Sequence, residues 1–400
     1  MINKYTIAIF YLVLIQSCSI DDNLIEYEEK LAVFASITAG YPAIDTIYVS
    51  RSANINENLN TSELAIDNAS VKIFRESDNK ELNFYSLGQG KYFPIDISQS
   101  NIDSIFSYWS EYIISPGEFY TLVVSTDEDS LTATTLVPQD IEINTSATLI
   151  DYICPDGTIE SIEPVNVNNL QDLTYEDIIL LYQNPVGYIV NNNIPIDSVT
   201  YKIGDCYTKS WASAPLLAVD FNKDEHNVVQ VISTALESEV VGLEPFTDEN
   251  KNGLYDDFEP FEDRNRNGFR DSCYINLIYS QERGFFEDDS LDYNYISNIW
   301  KEPFKRGVPD GTWRENSPYR TTPYVFNSVL SPSPIMWLYF DYYGYHLITY
   351  RSTSDDYYEY FKGQIPIPNI WLLPNSNING GLGVFYSSNS TSFIVKVNPQ

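Results

Sequence analysis

Residues 244–253 read Glu-Pro-Phe-Thr-Asp-Glu-Asn-Lys-Asn-Gly, and residues 259–268 repeat the pattern fifteen positions later as Glu-Pro-Phe-Glu-Asp-Arg-Asn-Arg-Asn-Gly. Each copy sets oxygen-bearing side chains at alternate positions ahead of a glycine. In the first these are Asp248, Asn250 and Asn252 before Gly253; in the second, Asp263, Asn265 and Asn267 before Gly268. A hard cation such as calcium takes about six to eight oxygens at roughly 2.3–2.6 Å. Side chains at loop positions 1, 3 and 5 converge on it, the glycine allows the sharp turn, and position 7 adds its backbone carbonyl. The first copy completes the set with the carbonyl of Leu254 and the carboxylates of Asp256 and Glu259, at positions 9 and 12. The second offers the carbonyl of Phe269 and the carboxylate of Asp271, but its position 12 is Tyr274, so the closing carboxylate is missing.

One calcium ion is therefore expected in the first loop. The second loop is expected to bind a further ion more weakly, to borrow a carboxylate from elsewhere, or to serve only as a turn. The bland alternative for both is an acidic surface loop with no ion. Asparagine at positions 3 and 5 keeps the ligand charge low, which suits the weaker, extracellular class of site. No amphipathic helices flank the pair, so a structural clip is expected rather than a switch.

Other chemistry is sparsely signalled. His226 and His346 are far apart, and His346 lies in an aromatic strand pattern that reads as packing. No Gly-x-Ser-x-Gly elbow occurs. The 56 acidic residues always allow a carboxylate pair on paper, yet no spacing singles one out, and a carboxylate-based hydrolase stays the enzymatic alternative to a non-enzymatic protein. Gly380-Gly381-Leu382-Gly383 reads as a turn or a close backbone approach, not a phosphate cradle. The aromatic runs Trp337–Tyr345 and Tyr357–Phe361 offer flat apolar faces that could stack on a glycan or peptide, with Trp337 and Trp371 as the candidate stacking residues and core packing as the plainer reading.

The elements that must position these residues read as mainly β. Thirty-two Tyr, 20 Phe and 6 Trp, with many Ile, Val and Thr, are a strand-favouring composition. Residues 31–38 alternate with period two, residues 71–74 and 82–84 flank a polar turn, and residues 119–125 and 131–137 flank another. This pattern predicts an immunoglobulin-like β-sandwich over 31–145. A larger β-rich domain with a few short helices follows over 146–400. It carries the calcium loops at 244–274, strands near 198–203, 228–233, 274–279, 336–340, 346–350 and 392–397, a helix over 355–362 capped by Ser354, and a long ordered loop over 301–334. Cys154, Cys206 and Cys273 allow one disulfide with one thiol left over, and their pairing is open.

The N-terminus supplies an address. Residues 5–15 form an apolar stretch of eleven residues after Lys4, shorter than the roughly 20 that span a bilayer as a helix. It ends in Ile15-Gln16-Ser17-Cys18, an aliphatic residue three before the cysteine and a small residue just before it. A signal peptide over 1–17, lipidation of Cys18 and an acidic tether over 18–30 are expected, with simple secretion as the alternative. The acyl chains would hold the protein to the outer membrane, at the cell surface or on the periplasmic face. Losing Lys4 takes the formal charge from -33 to -34. That excess excludes nucleic acid, whose binding needs Lys and Arg against phosphate, and suits divalent cations.

Two stretches carry a resemblance. One comprises residues 31–51 with Thr46-Ile47-Tyr48-Val49-Ser50-Arg51, Ala69-Ser70-Val71-Lys72-Ile73 and Gly90-Lys91-Tyr92. The other runs from Tyr350-Arg351-Ser352-Thr353-Ser354 through Tyr357-Tyr358-Glu359-Tyr360-Phe361 to Asn377-Ile378-Asn379-Gly380-Gly381-Leu382-Gly383-Val384-Phe385. Together they resemble an uncharacterised outer-membrane lipoprotein family, classed as a domain of unknown function and often encoded beside TonB-dependent receptors. The two acidic loops resemble those of EF-hands and dockerins. The family resemblance implies a sandwich first domain, a β-rich second domain and an accessory role beside a TonB-dependent transporter. It implies no catalytic residues.

Overall fold

The computed structural model describes residues 27–43, 45–54, 57, 60–94, 112–144, 150–153, 157–162, 175–200, 215–263, 268–276, 319–321, 333–336, 340, 342–361 and 374–399. The architecture is mainly β with a few short helices. The first strands follow directly from side-chain alternation. In β1 (Leu31–Thr38) Leu31, Val33, Ala35 and Ile37 are all buried, and the residues between them face outward. β2 (Ile47–Arg51) runs back along it. β3 (Ser70–Arg75) and β4 (Lys80–Gly88) form the expected hairpin, and β5 (Lys91–Phe93) joins β4 to β2. β6 (Phe119–Ser125) and β7 (Ser130–Leu136) extend the row beyond β3.

Short strands β8 (Ile143–Asn144), β9 (Ile150–Ile153) and β10 (Ile159–Ile162) follow. Two helices come next, α1 (Tyr175–Gln183) and α2 (Pro185–Asn191). Asn184 starts α2 by accepting the Gly187 N–H at 3.0 Å, with Pro185 in the first turn, where its missing N–H costs nothing. β11 (Asp197–Thr200), β12 (Pro215–Phe221), β13 (Val229–Ala235), β14 (Val241–Leu243) and β15 (Ser272–Tyr274) lead to β16 (Tyr319–Thr321) and β17 (Ser333–Met336). β16 pairs with β13, so part of the segment expected as loop is an edge strand. β18 (Gly344–Thr353), α3 (Asp355–Phe361) and β19 (Leu382–Asn398) close the chain. Ser354, expected as the cap of α3, accepts a hydrogen bond from Ser387 N–H at 3.3 Å and so ties the helix start to β19.

Twelve strands form one mixed sheet in the order β16-β13-β18-β19-β1-β2-β5-β4-β3-β6-β7, with β11 also on β19. The 17-residue β19 is the hinge of the architecture. Its first half runs parallel to β1, from Ala32↔Leu382 to Thr38↔Ser388, and its second half runs antiparallel to β18, from Thr353↔Ser388 to Gly344↔Val397. Phe385 and Ile378 consequently sit in the hydrophobic core of the N-terminal strands, and Ile394 packs with Leu181, Tyr188, Ile189 and Leu347 beneath the two helices. β7 also lies against the start of β19, where Thr132 and Asn379 exchange backbone bonds of 3.0 and 2.8 Å.

The glycine-rich motif is explained by this crossing. A Cβ on Gly383, at φ +108, would stand 1.8 Å from the Val33 carbonyl oxygen, so no larger residue lets β19 approach β1. Asn377 completes the edge with its side chain, donating Nδ2–H to Phe385 O at 2.7 Å and accepting from Phe385 N at 3.1 Å. The motif is a close backbone approach, as its residues suggest.

Candidate metal centre

The paired loops grow from the short β14–β15 ladder, in which Gly242 faces Cys273. Beyond the ladder the two Glu-Pro-Phe segments lie against each other with an approximate twofold relation. Phe246 bridges Phe261, Thr247 N–H donates to Pro260 O at 2.8 Å, and Glu262 N–H donates to Pro245 O at 2.9 Å. Each of these residues has its counterpart fifteen positions along the chain. Tyr255 stands edge-on to both phenylalanines, at centroid distances of 5.5 Å to Phe246 and 6.1 Å to Phe261. The Arg270 guanidinium lies 4.8 Å from the Phe246 ring centre and 4.7 Å from that of Tyr255. Its Nε–H also donates to the Glu244 carbonyl at 2.8 Å, which locks the second loop to the first.

Within the first loop the Asp248 carboxylate accepts Asn252 N–H at 3.1 Å and Gly253 N–H at 2.8 Å. Asn250 Oδ1 accepts Asn252 N–H at 2.9 Å, and Asn252 Oδ1 accepts Leu254 N–H at 2.7 Å. Lys251 and Gly253 take positive φ, +56 and +77, which the tight turn requires. The side-chain ends converge: Asn250 Nδ2 is 2.6 Å and Asn252 Nδ2 is 3.0 Å from the same Asp256 Oδ2. Turning either amide about its Cβ–Cγ bond presents an oxygen where the nitrogen now stands, so the positions fit a cation shell of amide and carboxylate oxygens.

The fit differs from the expected set at Glu259. This carboxylate is buried at 3 % exposure and clamps the loop backbone, accepting Glu249 N–H at 3.0 Å, Asn250 N–H at 3.4 Å and Asp256 N–H at 3.1 Å. Among the described residues no three His, Cys, Asp or Glu side chains gather into one metal-sized group; the side-chain ends that meet in the first loop are those of Asn250, Asn252 and Asp256. The Leu254 and Phe269 side chains project outward, as residues contributing only a carbonyl would.

The second loop repeats the first wherever it is described. Gly268, at φ +79, donates its N–H to Asp263 Oδ2 at 2.8 Å, the same contact that Gly253 makes with Asp248. Asn265 and Asn267 lie outside the described residues. Glu244, which the sequence reading left unassigned, is fully buried beside Asp271. Its Oε2 accepts Asp271 N–H and its Oε1 accepts the Cys273 thiol hydrogen, both at 3.4 Å. The repeat of Glu-Pro-Phe was the available signal for Glu244, because it makes Glu244 the counterpart of Glu259.

Cys18, Cys154, Cys206, Trp337 and Trp371 also lie outside the described residues. His346 is buried, with its ring 4.9 Å from that of Phe340 in an edge contact, which is the packing role expected of it. His226 Nδ1 sits 3.0 Å from Ser352 Oγ and its Nε2 sits 3.3 Å from Asn222 Oδ1. Ser352 is only 1 % exposed, so this Ser–His–Asn contact braces the interior and presents no nucleophile. Burial pushes the His226 pKa down against the opposing pull of Glu225 and Asp140.

These features define a class: a mainly β protein organised on one large mixed sheet, with a tandem loop unit set off on its own short ladder. The chain belongs to the DUF4249 family, described as a domain of unknown function, whose profile matches residues 18–394. No curated protein and no solved structure matched the chain. Among the described residues no helix is long and apolar enough to cross a membrane.

Proposed function

We propose that the chain is a non-enzymatic, lipid-anchored protein of the outer membrane, braced by calcium, that serves as an accessory or binding component beside a TonB-dependent transporter. The observation that carries the calcium reading is the convergence of Asn250 and Asn252 on Asp256 Oδ2 inside a loop already shaped by Asp248. Calcium at about 100 times its Kd would add about 2.7 kcal/mol of stability. The anchoring reading is supported by the Ile15-Gln16-Ser17-Cys18 run and by a family match that starts at residue 18.

Calorimetric titration of the lipidated chain in mild detergent tests the calcium reading. Saturable binding that Asp248→Ala abolishes at the first loop supports it, and the absence of binding removes it. Cys18→Ser should release the protein from the membrane fraction. Recovery of a TonB-dependent receptor in a detergent pull-down from the native membrane supports the accessory role, and recovery of the lipoprotein alone removes it.

A second reading, a free-standing glycan- or peptide-binding surface protein, draws on one observation. Phe34 and Tyr48 face each other across β1 and β2, both partly exposed, and Phe34 continues through Tyr386 and Phe361 into the tyrosine-rich α3. Ligand-induced quenching of tryptophan fluorescence that is lost in Trp337→Ala or Trp371→Ala would favour it.

A further inference from the structure

We infer that the outward face of β2, β1, β19, β18 and β13, walled by α3, is a binding site for a neutral oligosaccharide. Asp45 and Arg351 would hold its hydroxyl groups, and Phe34, Tyr48 and Tyr386 would pack on the apolar faces of its rings. The inference rests on the surface-binding reading above, gives that reading a site and a ligand class, and does not depend on calcium.

The five strands are neighbours in the sheet. Alternation along β1 sends Leu31, Val33, Ala35 and Ile37 into the core and leaves Phe34 and Ser36 on the other face. Phe34 pairs with Tyr48 of β2, and Ser36 pairs with Tyr386 of β19. Phe34 is 37 % exposed and Tyr48 is 47 % exposed. Phe34 meets the ring of Tyr386 at 5.9 Å and that of Phe361 at 6.4 Å, both edge-on. Tyr357 stands 4.9 Å from Tyr386 and 4.6 Å from Phe361, so α3 extends the same aromatic surface. Beyond Tyr357 the face turns polar. Tyr357 Oη accepts Gln230 Nε2–H at 3.2 Å, and Gln230 Oε1 accepts Arg351 Nε–H at 3.1 Å and a second bond from Arg351 Nη2. Gln230 of β13 is the register partner of Arg351 of β18. Four strand-to-strand steps of about 4.8 Å make this band about 19 Å long, longer than any single sugar ring.

The charges on the face select the ligand. Asp45, just ahead of β2, accepts the Ser36 hydroxyl at 2.9 Å, and Arg351 is bonded to the neutral Gln230 amide. Burial raises the pKa of Asp45 and of Tyr386, and Arg351 draws both back down, so the three groups lie within electrostatic reach of one another. An anionic ligand here would meet Asp45 and a cationic one would meet Arg351, each a like-charge contact. A neutral polyhydroxy ligand avoids both and uses both. A hydroxyl is donor and acceptor at once, so one can donate to the Asp45 carboxylate while its neighbour accepts from the Arg351 fork. The C–H face of a sugar ring suits the aromatic rings, and apolar walls with a few placed polar groups are the usual lining of a small-ligand site.

The test is calorimetric titration of the full lipidated chain, in a detergent without a sugar headgroup, with hexasaccharides of glucose, mannose, xylose and galactose. Hexasaccharides of galacturonic acid and of glucosamine serve as the anionic and cationic probes. Saturable binding of at least one neutral probe is expected, and neither charged probe should bind more tightly. Phe34→Ala and Arg351→Gln should each weaken that binding by about tenfold or more, whereas Phe119→Ala, which removes an exposed ring on β6 outside the band, should leave it unchanged. Thermal melts serve as the folding control. If Arg351→Gln fails to fold, Arg351→Lys replaces it, with the same expected weakening because the charge stays and the fork is lost. Unchanged binding in folded Phe34→Ala and Arg351 variants would overturn this site and leave the glycan reading standing with its ligand elsewhere. Tighter binding of a charged probe would overturn the ligand class. No binding of any probe to the wild type would overturn the inference and leave the surface-binding reading to peptides.

Discussion

The two loops are close copies with different fates. Both turn on an aspartate that accepts the N–H of a left-handed glycine at 2.8 Å, and both have a buried glutamate against the N–H of their position-9 aspartate. In the first loop that glutamate arrives in sequence, eleven residues after Asp248. In the second it arrives through the fold, from nineteen residues before Asp263. A motif window sees the first arrangement whole and reports the second as defective. The comparison teaches that a glutamate outside a loop's motif can hold that loop's backbone, because the Phe246–Phe261 bridge sets the two segments against each other.

Breaking the first loop should do the most damage. Asp248→Ala removes the carboxylate that accepts two backbone N–H groups and the first proposed cation ligand, and a loss of about 2–3 kcal/mol is expected in denaturant unfolding with saturating calcium. Asp263→Ala should cost less, about 1–2 kcal/mol, because its loop carries Tyr274 in place of a carboxylate at position 12. Equal losses would mean that the residue at position 12 does not rank the two loops.

Arg270→Ala sharpens the comparison by attacking what joins the loops and neither loop itself. Loss of its two ring contacts and its bond to the Glu244 carbonyl should cost about 1 kcal/mol. It should also weaken calcium binding at the second loop more than at the first, read as a split of the titration into two phases. A uniform shift of both phases would argue against Arg270 as the link.

The smallest effect serves as an outside reference. His226 lies in the main sheet region, and burial holds its pKa below the ordinary value of about 6.5. The unfolded chain therefore takes up the proton first as pH falls. Stability that is present above about pH 6.5 is lost as the pH drops through the depressed folded value. His226→Gln should flatten that part of the pH profile equally in calcium and in chelator. A calcium-dependent change in the slope would tie the sheet interior around His226 to the loops.

Much of the sheet was legible because alternation is a local property. β1 and the β6–β7 hairpin follow from it, and β13 and β18 were foreseen within a few residues. The first half of β19 was not, since Gly380-Gly381-Leu382-Gly383 carries no alternation, and its last two residues open a strand only because β1 offers them a parallel edge. β16 was hidden for the same reason: Tyr319, Arg320 and Thr321 are a strand by virtue of β13 beside them. The α2 start was readable in Asn184-Pro185, a cap followed by a first-turn proline, and went unread. In the site, Asp248, Asn250, Asn252 and Asp256 were found from spacing, whereas Glu244, Tyr255 and Arg270 matter through contacts between the copies.

The most direct test of the calcium clip is the thermal melt of the lipidated chain with saturating calcium and with excess chelator, alongside Asp248→Ala under both conditions. The account predicts a melting temperature lower by roughly 2–5 °C in chelator for the wild type, and a much smaller response in the variant. Identical melts with and without calcium in the wild type, and no change in Asp248→Ala, would contradict it.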